Sequence, residues 1–283
     1  MPFTPQVAAI HDLSAFGRCS TTVVLPVLSA MGVQCCPLLT AYLSAQTAFP
    51  ASEKSTFVDM SGQMEGVADH WSELGVTFDA IYSGFLASEA QIDIISHFYE
   101  RFRRPNTLIL VDPVMGDHGK PYRTYTPALC RAMGDLAAQA DLITPNLTEA
   151  ALLLGEDYAD IPITQEAAKS WLDRLSLDGR RSVVLTGVSF QEGQVGAACL
   201  DAVSGRFYVS LARQEPAQFP GTGDLFTSVL LGSILRGESL EQANQRAVNF
   251  VRLCASYTID LGTPHVEGVH FEPLLRQLIQ DLP

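Results

Sequence analysis

Apolar positions along the chain come in two spacings. Short, nearly unbroken runs rich in Val, Ile and Leu alternate with longer segments in which apolar residues recur every three or four positions. The first spacing predicts strands buried on both faces and the second predicts helices with one apolar stripe. Their alternation predicts a mostly parallel sheet covered by helices. Strands are predicted over 7–10, 33–39, 80–83, 107–111, 142–144 and 183–186. Helices are predicted over 21–31, 52–74, 89–103, 127–138, 148–154, 165–175, 223–235, 240–261 and 272–280. Several of them begin after Ser, Thr, Asp or Asn and stop near Gly, as capping chemistry prefers. Two further runs, 194–200 and 206–211, flank a turn containing Ser204 and Gly205 and predict a late antiparallel hairpin. Neither an internal repeat nor a long linker interrupts this pattern, so a single α/β domain over 1–283 is expected.

Composition changes the picture mainly through charge. With 47% hydrophobic and 17% charged residues the chain is an ordinary folded one, but 31 acidic against 18 basic side chains leave a formal charge of −13. Such a surface repels phosphate backbones and anionic lipid, so neither nucleic acid nor membrane is expected as a partner. An anionic ligand would have to be held by helix N-termini, backbone amides, a metal ion or a few placed cations. The six cysteines lack CxxC spacing, no leader-like segment opens the sequence, and about 18 uninterrupted apolar residues occur nowhere. A cytoplasmic protein with reduced thiols is the expectation.

In open α/β sheets functional residues collect where strands end, so the strand exits are the places to search. They read HDLSAFGR, LTAYLSAQT, SGF, DPVMGDHGKPY, TPNLTE and TGVS. The most suggestive segment lies later, at PGTGD before the apolar helix predicted from 223. Gly221 and Gly223 permit positive backbone torsions and close approach, and the amides of a loop entering a helix point outward as free donors. Asp224 is then either a first-turn carboxylate that satisfies those amides or a general base beside an anion pocket. In DPVMGDHGKPY the Asp-Pro at a strand end leads into an acidic, flexible loop, which reads as a solvated turn or as the place where Asp112 helps order magnesium and triphosphate. In TPNLTE, Asn146 and Glu149 are three apart. They form either a helix cap or a phosphate and magnesium site with Thr144.

Taken in order, DPVMGDHGKPY, TPNLTE and PGTGD resemble the ribokinase-like superfamily, and AIHDLSAFGRCS and LLTAYLSAQTAF narrow the likeness to the vitamin B6 kinases, over roughly residues 7 to 260. The resemblance implies a three-layer αβα fold and transfer of the ATP γ-phosphoryl group to the 5′-hydroxyl of pyridoxal, pyridoxamine or pyridoxine. It implies Asp224 as base in contact with the substrate hydroxyl, and Gly221, Thr222 and Gly223 as the anion hole. Asp112, Thr144, Asn146 and Glu149 fall on nucleotide and Mg2+ positions, with Asp112 and Glu149 toward the metal, and Thr186 and Gly187 fall on the adenosine side. Thr47 matches a residue that contacts the pyridine ring, and a homodimer is implied.

Three positions depart from the family. Asp12 stands where relatives carry Ser, which favours a protonated ring or an amine-bearing vitamer such as pyridoxamine. Leu43 and Phe85 stand where relatives often place Phe and Tyr, and either line the substrate ring or are simply core. The alternatives are a hydroxymethylpyrimidine kinase, whose family generally has Cys where Asp224 stands, and a vitamer-binding protein without catalysis.

Overall fold

Along the first strand Val7 and Ala9 enter one apolar core and Ala8 and Ile10 another, because successive side chains of a strand point to opposite faces. The structure, a computed structural model, describes residues 4–279. Strand β1 (Gln6–Ser14) leads through α1 (Thr21–Ala30) to β2 (Gln34–Leu43) and the short β3 (Phe57–Asp59). Then follow α2 (Ser61–Glu73), β4 (Ala80–Ser83), α3 (Ala90–Phe102) and β5 (Leu108–Val111). A small hairpin, β6 (Gly116–Asp117) and β7 (Lys120–Pro121), precedes α4 (Pro127–Ala137), β8 (Leu142–Ile143), α5 (Leu147–Leu154) and α6 (Gln165–Leu175). The last third holds β9 (Ser182–Val188), β10 (Gln194–Leu200), β11 (Phe207–Arg213), α7 (Thr222–Leu235), α8 (Leu240–Leu261) and α9 (Arg276–Ile279).

Nine of these strands form one sheet in the order β11-β10-β9-β8-β5-β4-β1-β2-β3. The six strands from β9 to β2 pair in parallel, and antiparallel strands close both edges. Residues of α2 to α6, such as Ile95, Leu136 and Leu172, cover one face, and residues of α1, α7 and α8, such as Val24, Leu230 and Cys254, cover the other. This is the expected three-layer arrangement. Helix α7 is buried continuously from Leu225 to Ser233, which explains why its sequence is apolar all round rather than striped. At the amino edge of the sheet, Arg181 is 5% exposed and donates to the carbonyls of Leu175 and Ala137. It thereby neutralises the C-terminal ends of α6 and α4.

Three expectations are corrected. The helix predicted over 52–74 begins only at Ser61, because Phe57, Val58 and Asp59 pair with Leu43, Tyr42 and Ala41 as an edge strand. There the pull of β-prone Phe-Val and a neighbouring strand outweighs helical periodicity. Asp59 then starts the helix by accepting from the Ser61 amide at 2.8 Å. The loop after β5, expected to be flexible, folds into the β6/β7 hairpin, whose turn residues His118 and Gly119 both have positive φ, 51 and 76, as a tight two-residue hairpin turn requires. The helix predicted over 272–280 is a 3₁₀ turn, Glu272–Leu274, followed by α9, and position 280 lies outside the described residues.

Candidate active site

The parallel strand order reverses between β1 and β4, since β1 leads outward to β2 while β4 leads to β5 on the other side. A crevice opens at the carboxyl ends of strands at such a point. The exits of β1, β4, β5 and β8 meet the start of α7 there.

Asp12 sits where the β1/β2 register slips: His11 pairs with Leu39 but Leu13 with Tyr42, so two residues of β2 face one of β1. Bulges of this kind re-aim a side chain next to a site. The Asp12 carboxylate is 4% exposed and accepts the Ser14 hydroxyl at 2.9 Å. Burial raises its pKa, opposed by the hydroxyls of Ser20 and Ser14.

Gly221 begins α7 in the left-handed conformation, with φ 76, and brings no side chain to cap the helix. The loop needs glycine there for a second reason, because a Cβ would lie 2.0 Å from the Arg18 carbonyl oxygen. Thr222 turns its hydroxyl away to the Phe219 carbonyl at 3.1 Å. The first-turn amides of α7 therefore remain donors for a ligand. Asp224 does not cap them: its Oδ2 accepts the Ser20 amide at 2.8 Å, and among the described residues no protein group bonds its Oδ1. Burial pushes the Asp224 carboxyl up to about 7, with the Ser20 amide opposing and the charge of Asp12 adding to the rise.

Asp112, at the end of β5, lies beside this helix mouth, 3.9 Å from where a Gly223 Cβ would be. Thr227 of α7 bridges Asp112 and Thr144, with its hydroxyl 3.5 Å from the Asp112 Oδ2 and 3.1 Å from the Thr144 hydroxyl. Burial, and then the charge of Asp224, hold the Asp112 carboxyl well above the usual range.

Asn146 and Glu149 make a reciprocal capping box at the start of α5. Asn146 Oδ1 accepts the amides of Thr148 and Glu149, and its Nδ2 donates to the Gly116 carbonyl, which fastens the β6/β7 hairpin to the start of α5. Glu149 accepts the amides of Asn146 at 2.8 Å and Met115 at 3.2 Å, so this cap also reaches across to the loop after β5. Its pKa is raised first by burial and then by Asp112.

No lysine or arginine pairs with Asp12, Asp112, Glu149 or Asp224 among the described residues. Nor does any group of three His, Cys, Asp or Glu side chains form a metal cluster among them. Asp112 and Glu149 still suit Mg2+, which keeps several waters and needs only one or two carboxylates beside substrate phosphates.

Thr186 pairs with Asn146 in an isolated bridge and donates its amide to Pro145, with Gly187 next to it at φ 78. Thr47 is exposed in the turn after β2. Phe85 is 7% exposed, packs edge-on to Tyr125 with ring centres 6.0 Å apart, and belongs to the core, as does Leu43. Sequence reasoning missed Ser14, Ser20 and Thr227. Ser and Thr carry no distinctive local signal, and although Ser14 meets Asp12 two positions away, the partners of Ser20 and Thr227 lie far along the chain.

A mostly parallel sheet between two layers of helices, with an uncapped helix mouth at the strand exits, gives the chain the fold of the small-molecule kinases of the ribokinase-like superfamily. The sequence pattern of the phosphomethylpyrimidine kinase family matches residues 25–269. All of the chain aligns at 30% identity with 95% of the pyridoxine/pyridoxal/pyridoxamine kinase of Bordetella avium. A Bacteroides thetaiotaomicron protein provisionally named a phosphomethylpyrimidine kinase, crystallised with pyridoxal, superposes with a TM-score of 0.92 at 40% identity, covering 99% of this chain and 97% of that one. Pyridoxal kinase from Lactobacillus plantarum superposes with a TM-score of 0.87 at 32% identity, covering 98% and 97%. The chain belongs to the phosphomethylpyrimidine kinase family, in the branch that holds the vitamin B6 kinases.

Among the described residues no helix is long and apolar enough to cross a membrane.

Proposed function

We propose that the protein phosphorylates the 5′-hydroxyl of pyridoxal, pyridoxamine or pyridoxine with ATP as donor and Asp224 as general base. The observation that carries this reading is the seat of Asp224. Its Oδ2 is held by Ser20 while its Oδ1 is left free at a helix mouth that no side chain caps. The names of relatives similar over nearly the whole chain support the substrate.

Phosphoryl transfer needs positioning and charge stabilisation more than covalent chemistry. In this reading the amides of Gly221, Thr222 and Gly223 face the transferring group, and Oδ1 of Asp224 takes the hydroxyl proton. Asp112 and Glu149 would hold magnesium, which when bound neutralises phosphate charge that this acidic protein cannot meet with cations. Asp12 would face the ring nitrogen or the amine of the vitamer. Thr144, Asn146, Thr186 and Gly187 border the nucleotide side.

The test is ADP release measured with pyridoxal, pyridoxamine and hydroxymethylpyrimidine as acceptors. Turnover of the B6 vitamers is expected, and Asp224→Asn should lower kcat by about 10²–10⁴ with ATP binding intact. Turnover of hydroxymethylpyrimidine alone would move the protein to thiamin chemistry. Binding of pyridoxal without any turnover would make it a vitamer-binding protein, and unchanged turnover by Asp224→Asn would remove Asp224 as the base.

A further inference from the structure

Residues 17–20, between β1 and α1, form a strap across the mouth of α7. Its inner side presses on the proposed anion pocket, with the Arg18 carbonyl against Gly221 and the Ser20 amide on Asp224. Its outer side is fastened to residues 267–272, beyond α8. The Arg18 amide donates to the Glu267 carbonyl at 3.0 Å, and a Cβ on Gly268 would lie 2.7 Å from the Arg18 carbonyl. The Arg18 guanidinium donates from Nε to Glu272 Oε1 at 2.6 Å, and its Nη2 lies 3.0 Å from His270 Nδ1. Held from both sides, Ser20 adopts φ 48 and ψ −132, a conformation that a residue with a side chain keeps only when its surroundings impose it.

An ordinary surface ion pair does not account for this arrangement. Such pairs join two exposed side chains and contribute little. Here Glu272 is 48% exposed, but the arginine side chain is only 22% exposed and grips two partners 252 and 254 positions away. A planar fork can hold both at once, whereas a lysine ammonium on a flexible stem cannot fix the same geometry.

We propose that Arg18 is a positioning residue for phosphoryl transfer: by bridging Glu272 and His270 it sets the height of the strap, and so the place of the Ser20 amide on Asp224 and of Gly221 beside the transferring group. The inference rests on the reading of Asp224 as the base. A misplaced base and amide pocket weaken the transition state more than the bound substrates, so the defect should fall on kcat.

The experiment compares Arg18→Lys and Glu272→Gln, singly, together and each with Asp224→Asn, by steady-state kinetics and thermal melting. Arg18→Lys should lower kcat roughly 10–100-fold, as displacements near 1 Å do, with both KM values within about twofold of wild type. Glu272→Gln should act in the same direction more weakly, and the pair should be no worse than Arg18→Lys alone. In the Asp224→Asn background Arg18→Lys should lose the part of its effect that runs through the base and keep only the part that runs through Gly221, so the two losses should multiply incompletely. A wild-type kcat, a loss confined to KM, or a loss that multiplies in full onto Asp224→Asn would overturn the proposal. Should Arg18→Lys melt early, Glu272→Gln, altered on the exposed side of the bridge, decides by the same criteria. Wild-type turnover by Asp224→Asn would instead refute Asp224 as the base, and the kcat of Arg18→Lys would still judge the strap.

Discussion

The backbone amide of Ser20 donates to Oδ2 of Asp224 over 2.8 Å, joining positions 204 apart in the chain. The bond holds one oxygen of the carboxylate and leaves the other free. It also opposes the burial and the Asp12 charge that raise this carboxyl to about 7.

A base must be ionised to accept a proton, so kcat/KM for pyridoxal should drop about tenfold per pH unit below pH 7 and level off above it. Asp12→Asn removes one cause of the rise and should move this acid limb to lower pH. A profile of kcat/KM against pH for the two proteins checks both statements. Asp12→Ser should in addition lose a several-fold preference for pyridoxamine over pyridoxal, read as the ratio of their kcat/KM values.

Gly221→Ala meets two obstacles, a positive φ of 76 and the Arg18 carbonyl 2.0 Å from the new Cβ. Strained backbone alone costs about 1–3 kcal/mol. A melting temperature several degrees lower and a kcat reduced at least about tenfold are expected. A variant that melts and turns over like wild type would show that the loop is not seated on Arg18.

Glu149→Gln separates capping from metal binding. The one carbonyl oxygen of glutamine can keep the bond from the Asn146 amide, so α5 should keep its start, while the Met115 amide loses its acceptor and the protein about 1 kcal/mol of stability. The lost charge should raise the magnesium concentration needed for half-maximal rate by about tenfold. An unchanged magnesium dependence would remove Glu149 from the metal. Asn146→Ala, by contrast, should cost about 1 kcal/mol of stability, measured by denaturant unfolding.

Asp224→Asn should also stabilise the free protein at alkaline pH. The folded state holds the Asp224 proton up to about 7, whereas the unfolded chain releases it near pH 4. The stability this contributes is complete below about pH 4 and is lost as pH rises to about 7. At pH 8 the ionised carboxylate is therefore a cost that asparagine lacks, on the order of 4 kcal/mol for a rise of about three pKa units. The variant should melt higher than wild type at pH 8, by a margin that shrinks at pH 5.

Much of this molecule was legible along the chain wherever the relevant bonds close within a few residues. The Asn146 and Glu149 spacing offered, beside a metal and phosphate site, the capping box that the structure shows, and the glycines before an apolar helix offered free amides while leaving open whether Asp224 caps them. The alternation of apolar runs named the parallel sheet. The reading failed where a partner strand decided the outcome, as at Phe57–Asp59, and where a loop folded back on itself, as at 116–121.

Which segments end strands, open helices and carry carboxylates at those exits was thus determined by the sequence, because helix ends, turns and strand exits are local matters. Tertiary structure alone decided that Asp224 leaves its own helix uncapped and leans on Ser20, that Thr227 bridges Asp112 and Thr144, and that Arg18 is clamped to Glu272. Those contacts span 83 to 254 positions and exist only once sheet order and helix packing have brought the segments together. No periodicity or spacing along the chain encodes a distance of that kind.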